Sequence, residues 1–513
     1  MANLIKRFTK KEWSWIMYDW ANSVYATNIM AAIYPTIFAS QVPNGDIRWG
    51  YATSAATLIV ALLAPILGSI ADYKGMKKKL FTLFMLLGVV FTPLMVFTGQ
   101  WKLALMGYVI SRIGFSGSCL FYDSFLTDVT TDERMDDVSS WGYAMGYIGG
   151  STIPFIISIA MLLIFDYSPT AMAFSVLIVS AWWLVFSIPM LKNVTHEHYV
   201  ERTGSISIKL IFSRVFATLK RICSNKGLLL FIIAYFFYID GVDTIISIST
   251  AYGTILGLGA TGMILALLVT QIVAMPCSIF FAKIADKVSA RKALIGAVAV
   301  YFCVTMVGFY MGHSIEPPQD AYEAVFQTAV ESVEVPEAYK DEADEFVSTW
   351  KTEYKSDSPD LEKLAALTVK PVNGDEAAAT ALKDSLTTAL TAQTAGQTDK
   401  IDAFRSAVKF STVLFWAMAV MVGTVQGGIQ AVSRSYYGKL IPKERSNEYY
   451  GFFDIFGKFA SFLGPVIYSV MAQITGRSSM GVLGLAVLFI AGLVLLVVSK
   501  NHLEALEKQA AAK

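Results

Sequence analysis

Apolar residues gather into twelve long runs separated by short polar stretches. The runs lie near 14–39, 50–71, 80–98, 102–126, 140–164, 169–191, 228–252, 261–284, 291–312, 407–434, 448–473 and 478–499. Each is close to the roughly 20 residues a helix needs to cross a bilayer's hydrocarbon core. The pattern therefore predicts an all-α membrane protein with twelve transmembrane helices. One segment breaks the rhythm. Residues 313–406 are hydrophilic and hold 19 acidic against 8 basic side chains. Within it Tyr322, Val325, Phe326 and Val330, then Phe346, Trp350 and Tyr354, recur at helical spacing. A small helical insertion is expected there, although Pro317-Pro318 and an Ala/Thr tract leave disorder open.

Basic residues set the expected orientation. Lys74 and Lys77 to Lys79; Lys209, Arg214, Lys220 and Arg221; Lys287, Arg291 and Lys292; and Lys439, Lys443 and Arg445 all follow even-numbered runs. The opposite loops hold only Arg48, Lys102 or Arg477. By the positive-inside rule both termini face the cytoplasm of a cell inner-membrane protein, and the insertion lies outside. Residues 1–191 then form one six-helix lobe, and 228–312 with 407–500 the other. Residues 192–227 form a cytoplasmic linker of one or two short helices, either a plain connector or a segment lying on the inner leaflet. Residues 501–513 form a tail. The basic start (Lys6, Arg7, Lys10, Lys11) is not read as a signal peptide, because the run from Trp13 to Ala39 is too long and polar.

Composition agrees with this picture: 55% of the 513 residues are hydrophobic and only 16% charged, more apolar than a soluble domain needs. A net charge of +1 gives no sign of a nucleic-acid partner. Cys119, Cys223, Cys277 and Cys303 are scattered, so neither a disulfide framework nor a metal site is expected. No cofactor is expected, and the chain is read as a monomer.

Two internal echoes align the halves. Gly68-Ser-Ile-Ala-Asp72-Tyr-Lys-Gly75-Met-Lys77-Lys78 returns 214 residues later as Ala282-Lys-Ile-Ala-Asp286-Lys-Val-Ser289-Ala-Arg291-Lys292. Glu133-Arg134, twelve residues before Gly146, returns 311 residues later as Glu444-Arg445 before Gly457. The two offsets differ by about the length of the insertion, so one duplication with one insert explains both. The first pattern resembles the signature loop of the major facilitator superfamily. Physically, Gly75 permits a turn with positive φ, and Asp72 can accept hydrogen bonds from a neighbouring helix N-terminus. Lys77, Lys78 and Arg291 are expected to anchor at the anionic leaflet. These loops should govern conformational switching and not touch solute.

In the same alignment Asp123 on span four sits opposite Arg434 on span ten. Such a pair could close a cytoplasmic gate; the alternative is that each neutralises a local partner such as Arg112 or Lys439. Other polar groups within the spans point to a solute cavity or proton coupling: Asp19, Asn22 and Tyr25 on span one; Arg112 and Ser116 on span four; Tyr238, Asp240 and Asp243 on span seven; Gln426 and Gln430 on span ten. A desolvated aspartate holds its proton tightly, and Asp240 or Asp243 is the first candidate for a proton carrier. Asp454 and Lys458 are read as a local pair. Gly142, Gly146 and Gly150 make a flat strip for close helix packing. Gly114-Phe-Ser116-Gly117 resembles a protease nucleophile motif, but every histidine lies outside the spans, so no enzyme is expected.

Tyr18-Asp-Trp-Ala-Asn-Ser, Phe121-Tyr-Asp-Ser-Phe-Leu, Gly146-Tyr-Ile-Gly-Gly150, Tyr238-Ile-Asp-Gly241 and Gly427-Gly-Ile-Gln-Ala-Val-Ser-Arg434 are more specific. They resemble the bacterial relatives of the fungal autophagy-related vacuolar amino-acid effluxers. The resemblance spans both lobes but not the insertion. It implies alternating-access export of a small solute such as an amino acid, with protons as the expected coupling ion. Asp123 and Arg112 depart from that family's pattern, which leaves a charged or zwitterionic solute open. The alternatives are a lipid or amphiphile translocase on the same fold, or a non-transporting sensor or scaffold acting through the insertion.

Overall fold

The computed structural model describes residues 7–511 except 32, 35–37, 39–41, 43–44, 166–167, 202–207 and 259. Its first half comprises α1 (Lys10–Val24), α2 (Gly45–Ala71), α3 (Met76–Phe91), α4 (Trp101–Val129), α5 (Met135–Met145), α6 (Ile153–Ile164) and α7 (Pro169–Asn193). A connecting helix, α8 (Ile208–Ser224), leads to α9 (Lys226–Ile255), α10 (Ala260–Val288) and α11 (Ala290–Glu331). The insertion adds α12 (Lys340–Tyr354), α13 (Leu361–Ala365) and α14 (Glu376–Gly396). The chain closes with α15 (Thr398–Leu440), α16 (Ser446–Thr475), α17 (Ser478–Val498) and α18 (Lys500–Ala511).

Eleven helices among the described residues are long and apolar enough to cross a membrane, where the hydropathy pattern predicts twelve. The difference is the first run. Its α-helix ends at Val24 and passes into a π-helical turn, Tyr25–Ala31, and most of 32–44 lies outside the described residues. The span five run carries a second π-helical segment, Gly146–Thr152, between α5 and α6. Neither shift in helical hydrogen bonding leaves a mark on a hydropathy pattern.

Helix starts follow local chemistry. Thr9 and Glu12 form a reciprocal capping box at α1, and Ser168 caps α7 ahead of Pro169. Aromatic rings hold the first half together: Trp15 stacks on Tyr122 at 4.4 Å and donates its Nε1–H to the Tyr122 carbonyl at 2.8 Å. Apolar side chains such as Leu62, Val90, Leu163 and Val487 stay exposed on the outer faces of the spans, as lipid contact requires.

The expected boundaries at 312 and 407 are not breaks. α11 runs 42 residues through Pro317 and Pro318, and α15 runs 43 residues, so two spans continue directly into the insertion. The insertion has its own apolar core, in which Tyr322, Phe326, Trp350 and Phe404 are buried. It is also tied to the second half. Glu316, buried, accepts from the Ser479 backbone N–H at 2.8 Å and from the Ser479 hydroxyl at 2.7 Å, capping the start of α17. Gln319 donates to the Ile255 carbonyl at 2.8 Å where α9 ends.

The linker is docked and not a plain connector. Residues 194–199 form no helix or strand, and Val200 forms an isolated parallel bridge with Tyr73. The Glu197 and His198 backbone N–H groups both donate to Asp128 Oδ1, at 3.1 and 2.8 Å.

Candidate functional site

The two copies of the repeated loop lie at the end of the bundle that carries the basic residues, called the basic end below. In the first copy Gly75 turns the chain with φ +72°, and the Asp72 carboxylate is fully buried against the start of α16. Asp72 Oδ1 accepts from the Asn447 backbone N–H at 2.9 Å and from its side-chain amide at 2.7 Å; Oδ2 accepts from the Glu448 N–H at 3.1 Å. A carboxylate thus satisfies free donors at the positive end of a helix from the other half of the chain. Gly68 is required beside it, because a Cβ there would stand 2.3 Å from the Asn447 carbonyl oxygen.

Lys77 does not reach for the leaflet. It is buried, with Nζ 2.7 Å from Asp128 Oδ2 and 3.0 Å from Ser446 Oγ; the start of α16 covers it, and Asp128 offsets its charge. Lys78 turns to the Val194 carbonyl at 2.8 Å. Arg291 is also buried, donating to the Leu496 carbonyl at 3.2 Å, while Lys292 remains exposed.

The second copy does not repeat the first. Asp286 is exposed, and among the described residues it makes no hydrogen bond. The 311-residue offset gives the reason: the position equivalent to Asn447 is Asp136, a second carboxylate whose charge acts on Asp286 and which offers it no donor. Asp136 instead pairs with Lys439 at 2.7 Å. Ser289, standing where the first copy has Gly75, takes φ +98°.

Between the loops, Arg434 joins the halves. Its Nη1 lies 2.9 Å from Asp123 Oδ1, its Nε donates to Ser139 Oγ at 3.0 Å, and its Nη2 donates to the Ser139 carbonyl at 3.0 Å. Asp19, expected in the cavity, belongs to this group: its Oδ2 lies 3.5 Å from Arg434 Nη2 and accepts from the Tyr122 hydroxyl at 2.7 Å. The guanidinium also sits over Trp15 and Tyr143, 4.7 and 4.5 Å from their ring centroids. Lys443 and Asp132 add an outer pair at 3.1 Å. Among the described residues, the hydrogen bonds and ion pairs that join the two halves all lie toward the basic end. At its margin, Arg134 of the second echo clamps Glu12 with Nε and Nη2 at 2.8 and 2.9 Å. Burial would raise the Glu12 carboxyl, but Arg134, Thr130 and Thr9 together hold it below the ordinary glutamate value.

Toward the insertion a cavity of about 120 Å³ opens within the second half, among α9, α10, α11, α15 and α17. It is mainly apolar; Tyr252, Thr270, Gln271, Thr305 and Gln426 supply polar atoms to its lining. Of the sequence candidates only Gln426 lines it. Thr270, Gln271 and Thr305, on spans eight and nine, lie outside the polar stripes of spans one, four, seven and ten; Gln271 within an apolar run was the available signal.

Several other candidates are committed elsewhere. Asp240 is tied to α16: both carboxylate oxygens accept from the Gly464 N–H, at 2.9 and 3.0 Å, next to Pro465. The Tyr25 hydroxyl meets Ser111 Oγ at 2.5 Å, and the Tyr238 hydroxyl meets Ser433 Oγ at 2.6 Å. Ser116 is buried on α4; Asp243 and Gln430 are half-buried on α9 and α15. Arg112, midway along α4, differs: among the described residues it has no ion-pair partner, and its buried Nε lacks a hydrogen bond. The Asn22 side-chain amide nitrogen is likewise buried and unpaired.

Comparison with known proteins decides the family. The family model described as "Vacuole effluxer Atg22 like" matches residues 49–133, 127–315 and 411–507. The chain belongs to the Atg22-like family of the major facilitator superfamily. It is 36% identical to YxiO of Bacillus subtilis, described as an uncharacterized MFS-type transporter, over 96% of this chain and 95% of that one. Autophagy-related protein 22-2 of Aspergillus niger is 33% identical over 75 residues, 15% of this chain and 12% of that one. Among solved structures, the Escherichia coli fucose:proton symporter FucP superposes with a TM-score of 0.56 at 11% identity, covering 96% of this chain and 98% of that one. A bacterial homologue of the iron transporter ferroportin, in an outward-facing state, gives 0.52 at 12% identity, covering 97% and 98%. These show the fold.

In this Atg22-like chain the glycine strip faces α1. A Cβ on Gly142 would stand 2.5 Å from Asp19 Oδ2, one on Gly146 2.6 Å from Ser23 Oγ, and one on Gly150 2.4 Å from Ser23 Cβ. The strip lets the Asp19 carboxylate of α1 lie against the helix that carries Ser139. The family match resumes only at residue 411, so the Atg22-like pattern does not extend over the insertion. The expected Asp454–Lys458 pair lies outside the described residues.

Proposed function

We propose that this chain is a secondary active transporter that moves a small solute by alternating access across the cell inner membrane, with the basic end facing the cytoplasm. The observation that carries the reading is the Asp123–Arg434 pair, 2.9 Å apart on opposite halves. Together with Asp72 at the start of α16, it closes the basic end while a cavity remains on the insertion side.

Arg112 supports a solute with an anionic group. A guanidinium at membrane depth is costly without a counter-charge, and an arriving carboxylate would supply one. An amino acid or related metabolite carries such a carboxylate, and export fits the effluxer family. Proton coupling falls to the aspartates of α9, Asp240 or Asp243. The apolar lining also favours a second reading, an amphiphile translocase.

Purified protein in proteoliposomes, assayed for flux of amino acids, other carboxylates and amphiphiles with and without an imposed pH gradient, tests the proposal. Flux of a carboxylate-bearing solute that Arg112→Gln abolishes is expected. Flux of amphiphiles alone would favour the second reading, and thermal stabilisation by no solute at either of two pH values would overturn the first.

A further inference from the structure

Helix α8 crosses the basic end between the two halves. It packs against α2 on one side and α9 and α16 on the other. Arg214 makes the bridge, with its guanidinium 4.6 Å from the Tyr73 ring centroid in the repeated loop and Nη2 2.7 Å from Glu448 Oε1 on α16. Thr218 donates to Glu448 Oε2 at 2.6 Å. Glu448 is the residue whose backbone N–H caps onto Asp72. One face of α8 is therefore fastened to the same cluster that joins the halves.

The rest of α8 is amphipathic in a particular way. Ile211, Arg214, Val215, Thr218 and Ile222 form the face turned to the protein. Phe212, Phe216 and Leu219 are 45%, 67% and 36% exposed, and at about 100° per residue they fall on one flank of that face. Lys209 and Lys220, also exposed, form the next stripe round the helix. An exposed aromatic stripe bordered by lysines suits a helix lying in the plane of a membrane surface, with rings at the acyl boundary and cations at phosphate level.

We propose that this flank of α8 binds the anionic phospholipid surface of the bilayer, and that this contact strengthens closure of the basic end through Arg214 and Glu448. The occupant is lipid because both the charge and the apolar stripe match it, and because α8 packs directly against three membrane spans. The contact does not depend on which solute is carried.

Two readouts on the full-length protein test it. In a background with the four cysteines replaced, a spin label at Phe216→Cys, in nanodiscs a third of whose lipid is phosphatidylglycerol, should be accessible to oxygen and shielded from a water-soluble nickel chelate. Accessibility to the chelate, or shielding from both by a second protein surface, overturns the lipid contact. Labels at Lys79→Cys and Lys287→Cys, one in each half, report closure. The closed-to-open ratio should rise about fivefold for each basic side chain engaged, the factor one such side chain supplies near an anionic surface, when phosphatidylglycerol replaces phosphatidylcholine. The rise should vanish in the Lys209→Gln/Lys220→Gln variant, whose fold is checked by its unchanged melting temperature in detergent. Equal closure in both lipids, or an undiminished rise in the variant, overturns the coupling.

Discussion

Arg434 and Asp123 stand at equivalent places in the two repeats and meet at 2.9 Å, so one duplication supplied both halves of a contact. The guanidinium is almost wholly buried, and removing one partner of such a pair costs about 3–5 kcal/mol. The two removals should not be equal. Asp123→Asn leaves Arg434 with Asp19 at 3.5 Å, whereas Arg434→Gln leaves two carboxylates facing each other. Thermal unfolding in detergent should therefore show Arg434→Gln as the more destabilised variant. Arg434→Gln/Asp123→Asn should recover part of the loss.

The two repeated aspartates should differ in consequence. Asp72→Asn weakens three hydrogen bonds to the start of α16 and should slow turnover more than it weakens solute binding. Asp286→Asn, at an exposed position without a hydrogen bond, should leave both nearly unchanged. Flux rates and binding isotherms measured on the same preparations check this; equal loss of rate and affinity in Asp72→Asn would remove the switching role.

Ser289 holds φ +98° with ψ 147° where the first copy has a left-handed glycine, a positive-φ conformation costing a non-glycine residue about 1–3 kcal/mol. Its hydroxyl returns only a 3.5 Å contact to the Lys292 N–H. Ser289→Gly should raise the melting temperature, while Gly75→Ser should lower it.

His196 in the docked linker gives a pH dependence. Burial first, then the charge of Lys77, push its imidazole from the ordinary 6.5 down to about 4. Its folded form stays neutral where the unfolded chain takes a proton, so its contribution is complete above pH 6.5 and declines as pH falls toward 4. His196→Asn, which cannot titrate, should lose less stability than the native protein across that window. Melting curves at stepped pH supply the comparison.

What the sequence made legible follows the duplication. Asp123 and Arg434 could be placed against each other because two offsets, 214 and 311, carry positional information along the chain, whereas for Asp72 the sequence indicated only a helix N-terminus and not which one. The commitments of Asp240 to Gly464, Lys77 to Asp128 and Glu316 to Ser479 depend on helices far apart in sequence meeting at one point, and no one-dimensional pattern records that. The π-helical turns at Tyr25 and Gly146 escaped because they preserve hydrophobicity while shifting helical phase. Asp286 shows the limit of symmetry: the loop was copied, but Asp136 stands where Asn447 would have completed it.

The most direct test measures the basic end itself. Spin labels at Lys79→Cys and Lys287→Cys, with the four native cysteines replaced, give the distance between the halves in lipid by dipolar spectroscopy. Native protein should show a dominant short distance, and Arg434→Gln a population shifted to a longer one. A single, identical distribution in both would mean that the Asp123–Arg434 pair does not hold the halves together, and would contradict the gate.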